Sequence, residues 1–352
     1  MSKKLIAFAG ALLMLVATSA ASAEDGEAGW AKNPYFKSAD GKFDLAIKNR
    51  VQVRYTFEDP DGGDDKGSFR IRRARLTLQG KAFGDVKYKI QAEWGGGSTS
   101  LQDAYFQYSA NKMAQFRVGQ SRAFFARQDL TSSGKQQFVD RSITSGRFSH
   151  GRDIGLGLIG VNKNKTFEYN LGYFNGNGRN KSRDDNDNKL VVGRVVFTPF
   201  GEYKLEESAL DYPSSGKLAV GASFLTNTEG NDDDVDRLGF EFAYKIHGFS
   251  TTAEYFQEEL DPASGGATID TDGFYVQAGY LFPNKKHEIA GRYAVVSPDL
   301  GSVDADEIET GIAFSHYLSK HNYKVQADWR QIEDELSDTE DTEIRVQLQL
   351  SF

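Results

Sequence analysis

No cysteine occurs among the 352 residues, so neither disulfides nor thiolate metal sites can organise this chain. Proline is scarce at seven residues and methionine at three. Beyond residue 23, no stretch reaches the roughly 18 consecutive apolar residues of a membrane-spanning helix. Mean hydropathy is −0.53, the value of a soluble protein. Histidine is limited to five residues, and no G-x-S-x-G, H-E-x-x-H or Walker motif appears. His247, His287 and His321 fall in or beside short turns, His316 on the apolar phase of a strand, and His150 in a long loop. The Gly/Asn tract 172–178 lacks the strand–helix setting of a phosphate loop. Without a nucleophile, base and orienting group that could converge, the chain is not expected to be an enzyme, and no cofactor or metal is implied.

Against these absences stand 25 phenylalanines, 16 tyrosines and 36 glycines. A chain rich in aromatics and glycine can hide a membrane surface in alternate positions, where averaged hydropathy misses it. The first residues read as a secretory signal peptide over 1–23. Lys3 and Lys4 form its positive end, an apolar run covers 5–17, and Ala21-Ser22-Ala23 is the cleavage site. A retained anchor is the competing reading, but the run is too short to span. Residues 24–40 are then a short periplasmic segment without the heptads of a coiled coil.

From residue 41 to 352 one pattern dominates. Phe43, Leu45, Ile47, Val51, Val53, Tyr55 and Phe57 share one face of an extended segment, broken only by Asn49. Asp44, Lys48, Arg50, Gln52, Arg54 and Thr56 share the other. Such alternating segments recur about sixteen times, down to Ile344/Val346/Leu348/Leu350/Phe352. Each is long enough for a tilted membrane strand of about 9–11 residues. Connections alternate between tight turns (111–113, 162–165, 247–248, 283–286) and longer acidic loops (59–66, 175–188, 227–234, 258–271). Short turns on one side and long loops on the other predict an all-β transmembrane antiparallel barrel in the bacterial outer membrane. The segment 199–216 breaks the rule, a long connection on the short-turn side for which the alternation offers no reason. A periplasmic β-sandwich also alternates, but this many long strands would need several domains, and no linker or repeat divides the chain. An alternating strand closing on the aromatic Phe352 resembles the end of outer-membrane proteins that the assembly machinery reads, the alternative being an ordinary C-terminal strand.

The formal charge is −8, with 42 basic and 50 acidic residues, and about −10 once the two signal lysines are gone. The acids concentrate in the long loops, where they face lipopolysaccharide. The inward phase of the first half is basic: Lys48, Arg50, Arg54, Arg70, Arg72, Arg73, Arg75, Lys87, Lys89, Arg117 and Arg194 against Asp44, Glu93, Asp103 and Glu168. The inward phase of the second half is close to balanced. Rings of Arg and Lys in a narrow pore select anions, and arginine adds bidentate geometry for oxyanions. Nothing points to nucleic acid. In 69–76 (FRIRRARL), Phe69 and Ile71 lie on one phase and Ala74 and Leu76 on the other. A one-residue slip near Arg72–Arg73 predicts a β-bulge that turns Arg70, Arg72, Arg73 and Arg75 all inward. The alternative is that some of these arginines snorkel to the interface.

The longest loop, 121–152, has no acidic excess. It carries Arg122, Arg127, Lys135, Arg141, Arg147 and Arg152, with Asp129, Asp140 and Asp153 nearby. It also holds Phe124, Phe125, Leu130, Phe138, Ile143 and Phe148, which need burial, so it is expected to fold into the barrel as a constriction.

Several motifs resemble the phosphate-selective porin O/P family in order and spacing: Arg72-Arg-Ala-Arg-Leu76, Leu101-Gln-Asp-Ala-Tyr105, Val118-Gly-Gln120, Leu130-Thr-Ser-Ser133 and Phe138-Val-Asp-Arg-Ser142. The resemblance implies a sixteen-stranded, usually trimeric barrel with an infolded third loop and arginines guiding oxyanions. It implies that Arg72 and Arg73 are paired eyelet arginines and that Asp103 shapes the site. Ser132, Ser133 and Lys135 would be the loop residues nearest the anion, although Gly134-Lys-Gln-Gln137 departs from the family pattern. The expected ligand is a small anion such as phosphate or polyphosphate. The alternatives are a general non-selective diffusion porin or a structural or receptor barrel using its acidic loops.

Overall fold

A computed structural model describes residues 26–181, 183, 186–229 and 232–352. The segment read as a signal peptide lies outside the described residues. Alternation becomes eighteen strands: β1 Gly26–Trp30, β2 Pro34–Ser38, β3 Asp44–Asp59, β4 Lys66–Ala82, β5 Val86–Glu93, β6 Ser100–Asn111, β7 Ala114–Arg122, β8 Arg152–Val161 and β9 Phe167–Phe174. The second half supplies β10 Leu190–Phe197, β11 Lys217–Glu229, β12 Asp233–Ile246, β13 Phe249–Asp261, β14 Ile269–Leu281, β15 His287–Pro298, β16 Glu307–Ser319, β17 Tyr323–Asp334 and β18 Thr339–Ser351. Each strand from β3 to β18 pairs antiparallel with the next, and β18 returns to β3 with Thr342 opposite Asp59 and Ser351 opposite Arg50. The result is a closed sixteen-stranded barrel, which leaves no unpaired edge in the wall. No described helix is long and apolar enough to cross a membrane.

The period of two sorts the wall into a greasy and a wet face. Phe69 is 80% exposed and Val51, Val53 and Ile71 are exposed beside it, while Gln52 and Arg54 between them are fully buried. Polar burial inside an apolar sleeve is the inverse of a soluble core.

The slip in β4 is present. Gln52 pairs with Arg73 and Val53 with Ile71, so Arg72 is the extra residue. A second slip occurs where Gln91 pairs with Asp103 and Ala92 with Leu101. It leaves Leu101 exposed and both Gln102 and Asp103 buried.

Three segments add to the cylinder. β1 and β2 form a hairpin whose residues Tyr35–Lys37 pair with Ala46–Asp44. They take the part of the β3 edge that β18 leaves free, for β18 ends where Asn49 N donates to Phe352 O at 2.7 Å. The stretch between β7 and β8 contains two short helices, α1 Arg127–Leu130 and α2 Ile143–Phe148. The long connection between β10 and β11 buries Glu207, Ser208, Ala209 and Leu210.

Candidate functional site: arginines of the lumen

Six arginines lie close together on β3 and β4. Strand pairing places Arg50 opposite Arg75 and Arg54 opposite Arg70, and the bulge adds Arg72 and Arg73. Like charges this close are tolerated only with counter-charges or good hydrogen-bond acceptors. Asp140, on the connection between β7 and β8, is the counter-charge for three of them. Its Oδ2 accepts from Arg54 Nη1, and its Oδ1 lies 3.2 Å from Arg72 Nη2 and 3.6 Å from Arg73 Nη2. Burial pushes the Asp140 carboxyl up, but Arg54, Arg72 and Arg73 overcome it and hold the group far below the usual carboxylate range. Arg75 pairs with Glu93. Among the described residues Arg50 has no carboxylate partner, and it donates instead to Ser133 Oγ and Ser132 Oγ, both at 2.9 Å.

The connection is held by inward-facing groups from several strands. Gln128 N donates to Glu254 at 2.8 Å, Ile143 N to Glu309 at 2.8 Å and Val139 N to Asp328 at 3.0 Å. Lys324 Nζ donates to Gln136 O at 2.9 Å. Phe124, Phe125 and Phe148 join a buried apolar cluster with Phe174, Leu190, Val192, Leu225 and Phe256. Phe138 inserts against Ala290 and Ala313, with the Arg292 guanidinium 4.1 Å above its ring. These four phenylalanines are buried, as their composition demanded, whereas Leu130 and Ile143 are only partly so.

The β10–β11 connection lies beneath. Glu207 accepts from Gln137 N at 2.7 Å, from Gln277 at 2.9 Å and from Gln128 at 3.1 Å, and Ser208 donates to Glu288 at 2.8 Å. Its length, unexplained by the alternation, supplies acceptors to the underside of the β7–β8 connection.

Beside these segments a cavity of about 650 Å³ runs along the β3–β10 wall. Nine cations line it: Lys32, Lys48, Arg50, Arg75, Lys89, Arg117, Arg122, Arg152 and Arg194. Among the described residues two acidic side chains do, Asp103 and Glu168. Asp103 is clamped by Lys89 Nζ at 2.6 Å and Arg152 Nε at 2.8 Å. Arg117 binds Gln107 Oε1 and stacks 4.4 Å from the Tyr105 ring centroid.

Among the residues singled out in the sequence, Arg50, Arg75, Asp103, Arg117, Arg122 and Ser132 line this cavity. Arg54, Arg72 and Arg73 gather on Asp140 next to it, with Ser133 bridging toward Arg50. Arg70 is exposed and makes no ion pair among the described residues. Lys135 is pulled toward Glu206 at 3.5 Å. Arg127 and Arg141 stand apart. Arg127 is buried on Glu241 at 3.0 Å, and Arg141 caps the carbonyls of Gln128, Asp129 and Thr131 at 2.9–3.0 Å. Both act as framework of the connection. Sequence reasoning missed Lys32, which the N-terminal hairpin brings to the cavity, and the convergence on Asp140. The Asn33-Pro34 dipeptide was a usable turn signal for the first.

Comparison with known proteins agrees with this architecture. The profile of a family described as phosphate-selective porin O and P matches residues 45–352. Porin O of Pseudomonas aeruginosa is 23% identical over 337 residues, covering 83% of this chain and 75% of that one. An uncharacterised Aquifex aeolicus protein is 22% identical, covering 88% and 87%. Among solved structures, an anion-selective porin from Comamonas acidovorans superposes with a TM-score of 0.63 at 14% identity, covering 88% of this chain and all of that one. The trimer form of OmpT from Vibrio cholerae gives 0.60 at 13% identity, covering 88% and 99%.

Proposed function

This chain belongs to the phosphate-selective porin O and P family, a channel of the bacterial outer membrane rather than an enzyme, and we propose that it passes small anions by passive diffusion, favouring oxyanions such as phosphate or polyphosphate at an arginine- and lysine-lined narrowing. The observation that carries this reading is the imbalance of nine cations over two carboxylates around the lumen cavity. Fixed positive charge between low-dielectric walls raises the local anion concentration and repels cations. The β7–β8 connection narrows the lumen, since it spends its backbone donors on inward carboxylates of β13, β16 and β17. Guanidinium groups there offer paired donors that match a tetrahedral oxyanion better than a halide.

The trimer recorded for the Vibrio cholerae relative supports a homotrimer here, set in lipid with its acidic loops toward lipopolysaccharide. Export requires removal of residues 1–23, which leaves 24–40 as the periplasmic segment before the barrel. Planar-bilayer recording in a potassium chloride gradient tests the proposal. The reversal potential should report chloride permeating faster than potassium, and added phosphate should block the chloride current. A preference for potassium would overturn it.

A further inference from the structure

We propose that Asp140 is a resident counter-anion of the arginine cluster: its carboxylate occupies the place of a permeating oxyanion, and transit proceeds by exchange at one of its two oxygens. The inference rests on the anion-channel reading and names the residue that sets how tightly that channel holds its substrate.

The backbone around Asp140 is fixed. Val139 N donates to Asp328 at 3.0 Å, Val139 O accepts from Arg54 Nη2 at 2.9 Å, and Asp140 O accepts from Arg292 Nη1 at 3.0 Å. The carboxylate is therefore built into position. Its two oxygens are not equivalent. Oδ2 is bound to Arg54, whose side chain is fully buried. Oδ1 is shared at 3.2 and 3.6 Å between Arg72 and Arg73, and the Arg72 side chain is 35% exposed. An oxyanion arriving from water can replace Oδ1 without disturbing the anchor.

Unused donors mark the same place. Among the described residues, the buried Nε atoms of Arg72 and Arg73 have no hydrogen-bond partner. Buried guanidinium N–H groups left unpaired in a native site call for an occupant. The charges agree: Arg54, Arg72 and Arg73 against Asp140 alone leave two positive charges, enough to balance one divalent oxyanion. A site of three bare arginines would bind such an ion and retain it. Conduction needs binding favourable enough to admit the ion and weak enough to release it, and a built-in competitor supplies the second condition.

The test uses the full-length protein in planar bilayers, with phosphate titrated against the chloride current. Asp140→Asn should lower the half-blocking phosphate concentration by at least about fivefold, the scale of one charge–charge contact at about 4 Å even at the dielectric constant of water. It should also reduce the current carried by phosphate alone. Asp140→Glu, which keeps the charge, should stay near wild type. If Asp140→Asn fails to fold because Arg54 is left buried and unpaired, the double variant Arg54→Gln/Asp140→Asn removes that charge and, with the competing carboxylate gone from Arg72 and Arg73, should still show a tighter block than wild type, by less than the single variant. A purely structural Asp140 would change conductance and noise and leave the blocking concentration where it was. An unchanged or raised blocking concentration in either variant, with wild type still anion-selective, overturns the inference. A cation-selective wild type overturns the broader reading instead.

Discussion

Replacing Arg72 and Arg73 together by alanine separates two sources of selectivity that lie next to each other. Neither residue lines the nine-cation cavity, so its excess of cations survives the substitution. The cluster on Asp140 loses two of its three guanidinium groups and becomes neutral, with Arg54 still holding the carboxylate. Each unit charge about 4 Å from an anion contributes about 1 kcal/mol even at the dielectric constant of water. Two such charges give about 2 kcal/mol as a lower bound, or about thirtyfold in binding. The double variant should therefore raise the half-blocking phosphate concentration by about that factor. Its reversal potential in a chloride gradient should stay on the anion side. Two results would refute this reasoning. If permeability to chloride and potassium became equal, the cavity field would not be the source of selectivity. If phosphate block were unchanged, the oxyanion site would lie elsewhere. The variant should fold, because the Val139 and Asp140 backbone contacts to Asp328 and Arg292 are untouched.

Phe138→Ala empties a fully enclosed site under the Arg292 guanidinium and should cost about 3–5 kcal/mol; a urea midpoint that does not move would count against the packing argument. Glu207→Ala leaves several buried donors without their acceptor, at about 1–3 kcal/mol for each one unsatisfied, and should appear as noisier single-channel current. Gly119→Ala should lower the folded yield, since Gly119 has φ +119° and an added Cβ would lie 2.2 Å from Ala104 O; normal heat-modifiable migration would contradict this. His150 gives a pH effect. Burial lowers its basicity, but Asp153 at 2.8 Å and Glu229 at 3.8 Å win and raise it. Its stabilisation is then complete below the ordinary histidine value of about 6.5 and is lost as pH climbs through the raised folded value. The Gly176 and Gly178 amides, which donate to Asp153 Oδ2 at 2.8 and 3.2 Å, should lose exchange protection over that same rise in pH. Equal loss in His150→Phe, after correction for base-catalysed exchange, would refute the linkage.

The wall was legible because a period of two is a local property. Each of the sixteen segments announces its own face, and even the slip at Arg72 shows as a change of phase between Ile71 and Ala74. The second slip, at Gln102, was not read because the apolar residues around it gave only Ala104, Phe106 and Tyr108. The contents of the barrel were less legible, for a physical reason. What lies in the lumen is fixed by contacts between residues far apart in the chain. Asp140 was one acid among several in a long loop, and nothing local says that Arg54, Arg72 and Arg73 meet on it. One signal was available: an acid flanked by the apolar Phe138 and Val139 must be carried inward with them and needs a cation there. The 199–216 connection carried a similar hint in Glu206-Glu207-Ser208, polar residues beside apolar Ala209 and Leu210, which become acceptors for the connection above.

The division between a basic wall and a balanced wall has consequences beyond counting. Inward arginines of the second half are spent on neighbours: Arg237 on Glu258, Arg292 on Glu309, Arg330 on Glu343 and Arg345 on Asp328. Buried pairs of this kind nearly cancel at a distance and return little net stability after desolvation, so their use here is to hold the wall and its inserted segments in one arrangement. On the first wall two arginines have neutral partners instead. Arg50 rests on two serine hydroxyls, and Arg117 on Gln107 and the Tyr105 ring. Neither has a carboxylate within ion-pairing distance among the described residues. Hydroxyl and amide acceptors orient a guanidinium without cancelling its charge. On the anion-channel reading, guanidinium groups held in this way are the ones whose charge reaches furthest into the lumen.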